Sequence, residues 1–283
     1  MNTDKIRLEC TGERVIEDDY KTTASRYLIY LFHIATYRFC FPYIKQKKVL
    51  EFGSGSGYGT HLISPECQQI IGIDISEDAI EYAKTRYTSE NLKYQKINDI
   101  QSEPLPFIDN EFDVVISFQV IEHILKVDKF LSEIQRVLRK NGIFIVATPD
   151  RSTRLFPGQK PWNIYHVIEY GPGSFYKAVS NRFPDTDLYG MSASEGIINI
   201  ELNRTRLLRF ITYVFTFPFC PEWYRQSMLK ILKLASSPVS RFSNKKKGPC
   251  IDGNLYGFNI DDIMIKKNSV NSVNIVSVST NTK

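Results

Sequence analysis

An acidic residue and three glycines alternate across a short stretch of this 283-residue chain. Glu51, Gly53, Gly55 and Gly57 form the pattern E-x-G-x-G-x-G, directly after an apolar run. A loop with so few side chains lets a ligand approach the backbone. Asp74 lies 21 residues after Gly53 at the end of the next apolar run, where an acid can accept hydrogen bonds from ribose hydroxyls. The spacing therefore predicts a nucleoside site.

The same glycines do not fit a dinucleotide fingerprint. That motif, G-x-G-x-x-G, requires a glycine at its sixth position so that the following helix can pack closely. Counted from Gly53 or from Gly55, this position holds Tyr58 or Thr60. We therefore expect a nucleoside whose other end is small and is not a pyrophosphate.

Alternating apolar and amphipathic stretches from Lys47 to Asp150 predict the elements that position these residues. Such alternation is typical of βαβ units and a parallel sheet. The predicted strands are KVLEFG, QIIGIDI, LKYQKIN, FDVVISF and GIFIVAT. One helix is predicted over SEDAIEYAKTRYT with Ser76 as its N-cap, and another over KVDKFLSEIQRVLRKNG with Asn141-Gly142 as its end.

The segment before this region is predicted to be helical, and the segment after it is predicted to contain both a helix and strands. SRYLIYLFHIATYRFCFPYI is interrupted by Arg26, His33 and Arg38, so we expect a helix laid over the sheet and not a membrane span. Later segments predict a short helix from Pro172, a strand at DTDLYGM and a closing strand at VNIVSVST.

Composition narrows the class of protein. A hydrophobic content of 42% suffices for a packed core, and five scattered cysteines without a C-x-x-C pair indicate neither a disulfide framework nor a zinc site. The first twenty residues lack the apolar run of a signal peptide. These features predict a cytoplasmic protein.

Positive charge is concentrated near the C-terminus. Residues 203–248 contain ten Lys or Arg and one acid, Glu222, which gives this segment a net charge of +9 against +5 for the whole chain. Basic residues mixed with Phe, Tyr and Trp suit a membrane, a nucleic acid or a phosphorylated substrate. A solvated surface segment is the alternative.

Together, the motifs resemble those of class I S-adenosylmethionine-dependent methyltransferases, and the resemblance runs from about Gly12 to Met191. It implies an α/β fold with a Rossmann-like, seven-stranded sheet and helices on both faces. The basic, aromatic segment would be a helical insertion near the C-terminus. The expected division is 1–45 as a helical segment covering the site, 46–200 as the cofactor-binding domain, 201–268 as the insertion and 269–283 as the closing strand.

This resemblance also implies how the cofactor is held. Glu51, Gly53, Ser54, Gly55 and Gly57 would wrap the methionine end, and acids near it suit a cationic sulfonium. The remaining expected contacts are Asp74 and Ile75 at the ribose, Asp99 and Ile100 at the adenine, and Phe118 and Gln119 beneath the sulfur. Methyl transfer is an in-line displacement, so the protein mainly aligns the reactants and excludes water.

The segment QVIEHI resembles the E-x-x-E-H element that binds a divalent ion in ubiquinone-biosynthesis and small-RNA methyltransferases. Glu122 and His123 match it, Gln119 replaces its first glutamate, and His166 occupies the place of a further histidine. Three roles stay open: Glu122, His123 and His166 bind Mg²⁺ or another divalent ion, His123 or His166 acts as a general base, or these residues cap a helix and line the pocket.

Flanking segments resemble a bacterial type 11 methyltransferase subgroup associated with polysaccharide and O-antigen biosynthesis. GER before the domain, Arg26-Tyr27 and TPD…NIYHVIEY carry this resemblance, with departures at Gln119, Asp150 and Ile164. Arg14, Arg26 and Tyr27 either close over the cofactor or tie the leading helix to the core.

The expected reaction is O-methylation of a sugar or glycan precursor, and the cofactor motifs alone would equally serve N- or C-methylation. A small-molecule O-methyltransferase of the quinone or secondary-metabolite type and an RNA 2′-O-methyltransferase are the alternatives. The expected partners are a small-molecule or glycan-lipid acceptor and an anionic membrane that residues 203–248 contact at the inner face. We expect no nucleic-acid partner, because no RNA-binding module is present, and the sequence predicts no oligomeric state.

Overall fold

The structure is a computed structural model, and it describes residues 20, 22–236, 256–269 and 272–283. Arg14, Arg241 and Lys245 to Lys247 of the sequence predictions lie outside these residues. The described part of the chain forms one sheet of eight strands, in the order β3-β2-β1-β4-β5-β8-β6-β7. The strands are Lys48–Phe52 (β1), Gln69–Asp74 (β2), Leu92–Lys96 (β3), Phe112–Phe118 (β4), Leu138–Pro149 (β5), Asp185–Ala193 (β6), Ile263–Lys266 (β7) and Asn274–Thr280 (β8).

Strands β1 to β5 are parallel, as the sequence predicts. Strand β8 runs antiparallel between β5 and β6, and β7 pairs antiparallel with β6 at the edge. The predicted count of seven strands was therefore wrong by the edge strand Ile263–Lys266. Its four residues are only half-buried at alternate positions, too weak a pattern to predict a strand.

Helices cover both faces of the sheet. They are Ala24–Phe39 (α1), Phe41–Ile44 (α2), Tyr58–Ile63 (α3), Glu77–Arg86 (α4), Val127–Val137 (α5), Arg151–Arg154 (α6), Pro172–Ser180 (α7), Glu195–Thr216 (α8) and Glu222–Ser236 (α9), with short 3₁₀ turns at Ser64–Glu66, Ile121–His123 and Ile260–Asp262. Two large buried clusters, one on each face, form the core of the sheet.

Helix α5 ends four residues before the predicted Asn141-Gly142 end, because β5 already begins at Leu138. The side-chain amide of Asn281, which is 2% exposed, donates hydrogen bonds to the carbonyls of Gln135, Leu138 and Arg139. These bonds satisfy carbonyl groups that a longer helix would have used. A residue 142 to 146 positions away in the chain thus sets the end of the helix, which the local pattern could not indicate.

The leading helix α1 lies over the domain as predicted and contributes Tyr37 and Ile34 to the core. Tyr27 is buried, with its ring 5.7 Å from that of Phe258, whereas Arg26 is exposed. Tyr27 therefore ties the helix to the rest of the protein. None of the helices in the described ranges is long and apolar enough to cross a bilayer.

Helices α8 and α9 lie between β6 and β7 in the chain, and α8 runs across residue 200. That this segment is an insertion, and that the chain divides at residues 45, 200 and 268, stay predictions.

Candidate functional site

The glycine loop follows β1 and leads into α3. Gly53, Gly55 and Gly57 have φ angles of 82°, 53° and 81°, a region that glycine adopts without steric cost. A Cβ on Gly53 would come within 2.4 Å of Val120 Cγ2, and one on Gly57 within 2.6 Å of Ala83 Cβ, whereas a Cβ on Gly55 would meet open space. The loop therefore needs glycine for its conformation and leaves room for a ligand beside Gly55.

Glu51 presents a buried carboxyl group below this loop. It is 1% exposed, and the hydroxyl of Tyr37 donates a 2.6 Å hydrogen bond to its Oε1. Its Oε2 is buried and has no hydrogen-bond partner among the described residues. Burial raises the pKa of Glu51 to about 7. Because an unpartnered buried carboxyl oxygen is costly, a cationic ligand group at this position would be stabilised.

Asp74 connects the end of β2 to the glycine loop. Its Oδ2 accepts a 2.9 Å hydrogen bond from the amide of Gly55, and its Oδ1 accepts one of 2.8 Å from the amide of Ser76. Each carboxylate oxygen has two lone pairs, so one remains on each for a ligand hydroxyl. Ser54 is buried, its Oγ has no partner in the described part of the chain, and Ile75 is 60% exposed.

The residues predicted at the adenine lie in two different environments. Asp99 is exposed, and its carboxylate accepts hydrogen bonds from the amide and side chain of Gln101. Ile100 is 1% exposed and belongs to the apolar core with Ile97 and Leu105. Its contact with a bound ring stays a prediction.

Phe118 and Gln119 stand at the end of β4. Phe118 is buried, with its ring 5.1 Å from that of Tyr37 and edge-on to it. Gln119 has a φ of 57°, which is uncommon for a residue with a side chain and occurs more often at functional sites. Its backbone N–H donates a hydrogen bond to the carbonyl of Ala147, so the neighbouring strand β5 holds the strained backbone in place.

Glu122, His123 and His166 come together, and one potential ligand atom from each lies within 4.8 Å of the others. Glu122 is fully buried; its Oε2 accepts a 3.0 Å hydrogen bond from Thr148 Oγ1, and its Oε1 lacks a partner among the described residues. Burial raises the pKa of Glu122, an effect that the two histidines partly offset. The structure thus brings together three residues from two distant segments.

Both histidines are oriented through Nδ1. The Nδ1 atom of His123 lies 2.9 Å from the carbonyl oxygen of Tyr165, and that of His166 lies 3.0 Å from Glu169 Oε1. A carbonyl or carboxylate oxygen only accepts, so each Nδ1 carries the proton and a neutral ring has its lone pair on Nε2. That nitrogen can accept a proton or bind a metal ion.

Glu169 belongs to a buried ion pair that the sequence analysis missed. Arg154 donates from Nε and Nη2 to its two carboxylate oxygens, at 3.0 and 3.1 Å. Burial opposes ionisation of Glu169, yet Arg154 and His166 lower its pKa to about 2. The guanidinium carbon of Arg154 also lies 4.3 Å from the centre of the Trp162 ring. The available signal was Glu169 three positions after His166, the spacing of neighbours on one helical turn.

A cavity of about 440 Å³ adjoins these residues. We call the part of its lining formed by Gln119, Glu122 and His166 the polar end. Helices α8 and α9 contribute the apolar residues Leu208, Ile211, Leu229 and Leu232 and the charged residues Glu201, Arg204 and Lys233. Such a cavity is large enough for a small ligand and presents a polar end to the histidine cluster.

Comparisons with known proteins agree with this geometry. Residues 50–146 match the family described as a methyltransferase domain. A Mycobacterium tuberculosis protein, named as a probable S-adenosylmethionine-dependent methyltransferase, is 37% identical over 164 residues, which are 57% of this chain and 56% of that protein. A Pelagibacter ubique ubiquinone biosynthesis O-methyltransferase is 30% identical over 116 residues, which are 40% of this chain and 46% of that protein.

A solved Thermotoga maritima structure, a S-adenosylmethionine-dependent methyltransferase described as a possible histamine N-methyltransferase, superposes with a TM-score of 0.54. It is 15% identical, and the match covers 91% of this chain and 92% of that one, so the likeness shows a shared fold. The chain spans less than two thirds of the length of the first curated relatives it matches. Residues 50–146 thus match a methyltransferase domain, and the chain shares its fold with an S-adenosylmethionine-dependent methyltransferase.

Proposed function

We propose that this protein transfers the methyl group of S-adenosylmethionine to a hydroxyl group, most directly that of a sugar or glycan precursor. The observation that carries the proposal is the cluster of Glu122, His123 and His166, which lies at the polar end of a cavity next to the end of β4. Open α/β sheets bind their ligands at this edge.

The glycine loop and its acids fit the cofactor. Gly55 has open space beside it, and the buried Oε2 of Glu51 has no partner among the described residues, so an ammonium group would find a vacant acceptor there. Asp74 keeps lone pairs for the ribose hydroxyls. When bound, the cofactor supplies a sulfonium methyl group that a nucleophile attacks in line with the carbon–sulfur bond.

The two histidines prepare the acceptor. A hydroxyl group has a pKa far above neutrality, so a base must remove its proton as the new bond forms. Nε2 of His123 or of His166 is suited to this task, because each Nδ1 is held by an oxygen acceptor. Glu169 and Arg154 act as positioning residues, since Glu169 bonds to Nδ1 of His166 and Arg154 holds Glu169 in place; Arg154 also lines the cavity.

Glu122, His123 and His166 also fit a divalent ion, by their donor set. Glu122 Oε1 is a buried oxygen without a partner in the described residues, and His166 has a carboxylate on its other nitrogen, an arrangement typical of metal-binding histidines. Neutral Gln119 offers no charge, so two imidazoles and one carboxylate favour a transition metal over Mg²⁺. Bound there, the ion would polarise the hydroxyl.

A small-molecule acceptor of the quinone type is the second candidate. It is favoured by the aligned ubiquinone biosynthesis O-methyltransferase and by the apolar residues that α8 and α9 contribute to the cavity wall. The polysaccharide context, the cytoplasmic location and contact with the inner membrane face through residues 203–248 stay predictions.

Calorimetry with S-adenosylmethionine, followed by transfer of its labelled methyl group to a panel of sugar, polyprenyl-linked and phenolic hydroxyls, tests the proposal. We expect H123A or H166A to lower turnover by about 10²- to 10⁴-fold without weakening cofactor binding. H61A is the matched control, because His61 stacks on Tyr87 away from the cluster. Absence of cofactor binding, or full turnover in both variants, would contradict it.

A further inference from the structure

Helix α8 turns its apolar side to solvent. Leu207, Phe210, Ile211 and Val214 follow one another at helical spacing and are 49% to 68% exposed. The opposite side is buried and largely polar, with Glu201, Thr205, Thr212 and Thr216 beside the apolar Ile198 and Phe215. A surface helix of a soluble domain has the reverse arrangement, and an exposed apolar row of this kind marks a contact surface.

Helix α9 and the turn before it repeat this inversion. Phe219 is 90% exposed and Trp223 is 73% exposed, whereas Arg225 is 5% exposed and donates to Glu222 and to the carbonyl of Pro161. We call Leu207, Phe210, Ile211, Val214, Phe219 and Trp223 the α8–α9 surface. Large apolar side chains at these six positions would be covered in the working protein.

Charge around the α8–α9 surface points to what covers it. Residues 203–236 contain six Lys or Arg and one acid, Glu222, a net charge of +5. Arg206 and Lys230 are exposed and form no ion pair with any residue the structure describes, and the acid is bonded to Arg225. Exposed aromatic and aliphatic residues beside cations are typical of helices that lie in the interface of an anionic bilayer. No described helix can cross one.

The same surface is continuous with the cavity. Ile211 is half exposed and also lines the cavity, to which α8 contributes Leu208 and α9 contributes Leu229 and Leu232, beside the charged Glu201, Arg204 and Lys233. A passage with apolar and charged walls therefore leads from the exposed row to the polar end at Glu122 and His166. A ligand that fits both ends is an amphiphile, with a hydroxyl-bearing head and an apolar chain.

We propose that the α8–α9 surface docks on an anionic lipid bilayer, and that the acceptor is an amphiphile of that bilayer whose apolar chain passes between α8 and α9. The docking stands by itself, and the identity of the acceptor rests on the methyltransferase activity proposed above.

Sedimentation with vesicles tests the docking. The full chain should sediment with vesicles of equal parts phosphatidylglycerol and phosphatidylcholine, about tenfold better than with phosphatidylcholine alone. The triple change F210S/V214S/W223S should lower this binding by about tenfold, as should R206E/K230E. I108S is the matched control, since Ile108 is 74% exposed in the loop before β4. The docking would be overturned if I108S lost as much vesicle binding as the triple change, or if binding did not depend on lipid charge. It would also be overturned if the protein did not bind vesicles but formed a dimer that the triple change dissociates.

A dansyl-labelled undecanoic acid probes the passage. Its fluorescence should rise saturably with the wild-type protein. L232W, which narrows the passage at a cavity-lining position outside the α8–α9 surface, should weaken this binding by about tenfold while vesicle and S-adenosylmethionine binding stay unchanged. Unaltered probe binding in L232W would overturn the passage and leave the docking. Failure of the methyltransferase proposal has a separate readout, the absence of S-adenosylmethionine binding.

Discussion

The proposed cofactor side and the proposed acceptor side of this site are built by different means. On the cofactor side, Glu51, the glycine loop and Asp74 fall within 24 residues and act largely through backbone conformation. On the acceptor side, Glu122, Thr148 and Glu169 come from separate segments, and α8 and α9 add walls from farther along the chain. The proposed cofactor site is thus formed by a local motif, and the proposed acceptor site by side chains that only the fold brings together.

Two buried carboxyl groups show the electrostatic side of this difference. Burial raises the pKa of Glu51 to about 7, whereas Arg154 and His166 hold that of Glu169 near 2 against burial. Glu169 is therefore already paired with the guanidinium of Arg154, whereas Oε2 of Glu51 can still accept a hydrogen bond from a cationic ligand. The two residues should respond oppositely to substitution and to pH.

Removing the acceptor-side carboxylate should have the largest effect on stability. E169A leaves the guanidinium of Arg154, 8% exposed, without its charge partner, so unfolding free energy should fall by about 3–5 kcal/mol. R154M/E169L removes both charges and should recover stability to within about 1–2 kcal/mol of wild type. Urea unfolding measures both. E77A is the control, because the Glu77–Lys96 pair is exposed and should contribute at most about 1 kcal/mol. A loss of unfolding free energy in E169A no larger than that in E77A would contradict the buried pairing of Glu169 with Arg154.

On the cofactor side, stability should depend on pH through Glu51. Its folded pKa of about 7 lies above the ordinary 4.5, so its contribution is fully present below 4.5 and is lost as pH rises through 7. The loss should reach about 3 kcal/mol, since each pKa unit corresponds to about 1.4 kcal/mol. The amide side chain of E51Q does not ionise, so this variant should lack the pH-dependent loss. Urea unfolding at about pH 5 and about pH 8 should show a steeper decline in the wild type, and parallel declines would refute the assignment. At the higher pH, E51Q should bind S-adenosylmethionine more weakly.

Backbone conformation should matter most at Gly53. G53A places a Cβ at a φ of 82° and within 2.4 Å of Val120, which costs about 1–3 kcal/mol of strain and displaces the loop. We expect calorimetry to give about 100-fold weaker S-adenosylmethionine binding, equivalent to about 2.7 kcal/mol. G173A is the control, since a Cβ there meets open space. Similar affinities in the two variants would show that the loop does not hold the cofactor.

The sequence predicted the strands and helix around the glycine loop well because their determinants are local. Strands β1 to β5 and the helix Glu77–Arg86, with Ser76 accepting from the amide of Ala79 as its N-cap, are confirmed. The end of α5 was wrong because Asn281 sets it from a distance, and the eighth strand was missed because Ile263–Lys266 is a short, half-exposed edge.

On the proposed acceptor side the sequence indicated three residues that the structure brings together, and it missed the residues that orient them. Glu122, His123 and His166 were found through a motif, and the structure brings them together. Tyr37, Thr148, Arg154 and Glu169 were not, because each acts through a partner from another element. Hydrogen bonds between distant side chains leave no periodic pattern, so only a structure shows them.

Removing one hydrogen bond from Glu51 or from Glu122 should have the smallest effect, and it distinguishes the cofactor side from the acceptor side most directly. Y37F removes the donor to Glu51 Oε1, and T148V removes the donor to Glu122 Oε2 with little change of shape. Each should lower unfolding free energy by about 1–2 kcal/mol, because each leaves a buried carboxyl group with one hydrogen bond fewer. Y37F should weaken S-adenosylmethionine binding by up to about tenfold, since the loss of a hydrogen bond disfavours the ionised Glu51 that a cationic ligand requires. T148V should leave that affinity unchanged, because Glu122 lies on the acceptor side. The shift of the thermal midpoint by S-adenosylmethionine, measured on both variants, checks this; equal shifts would mean that the two sides are not energetically separate.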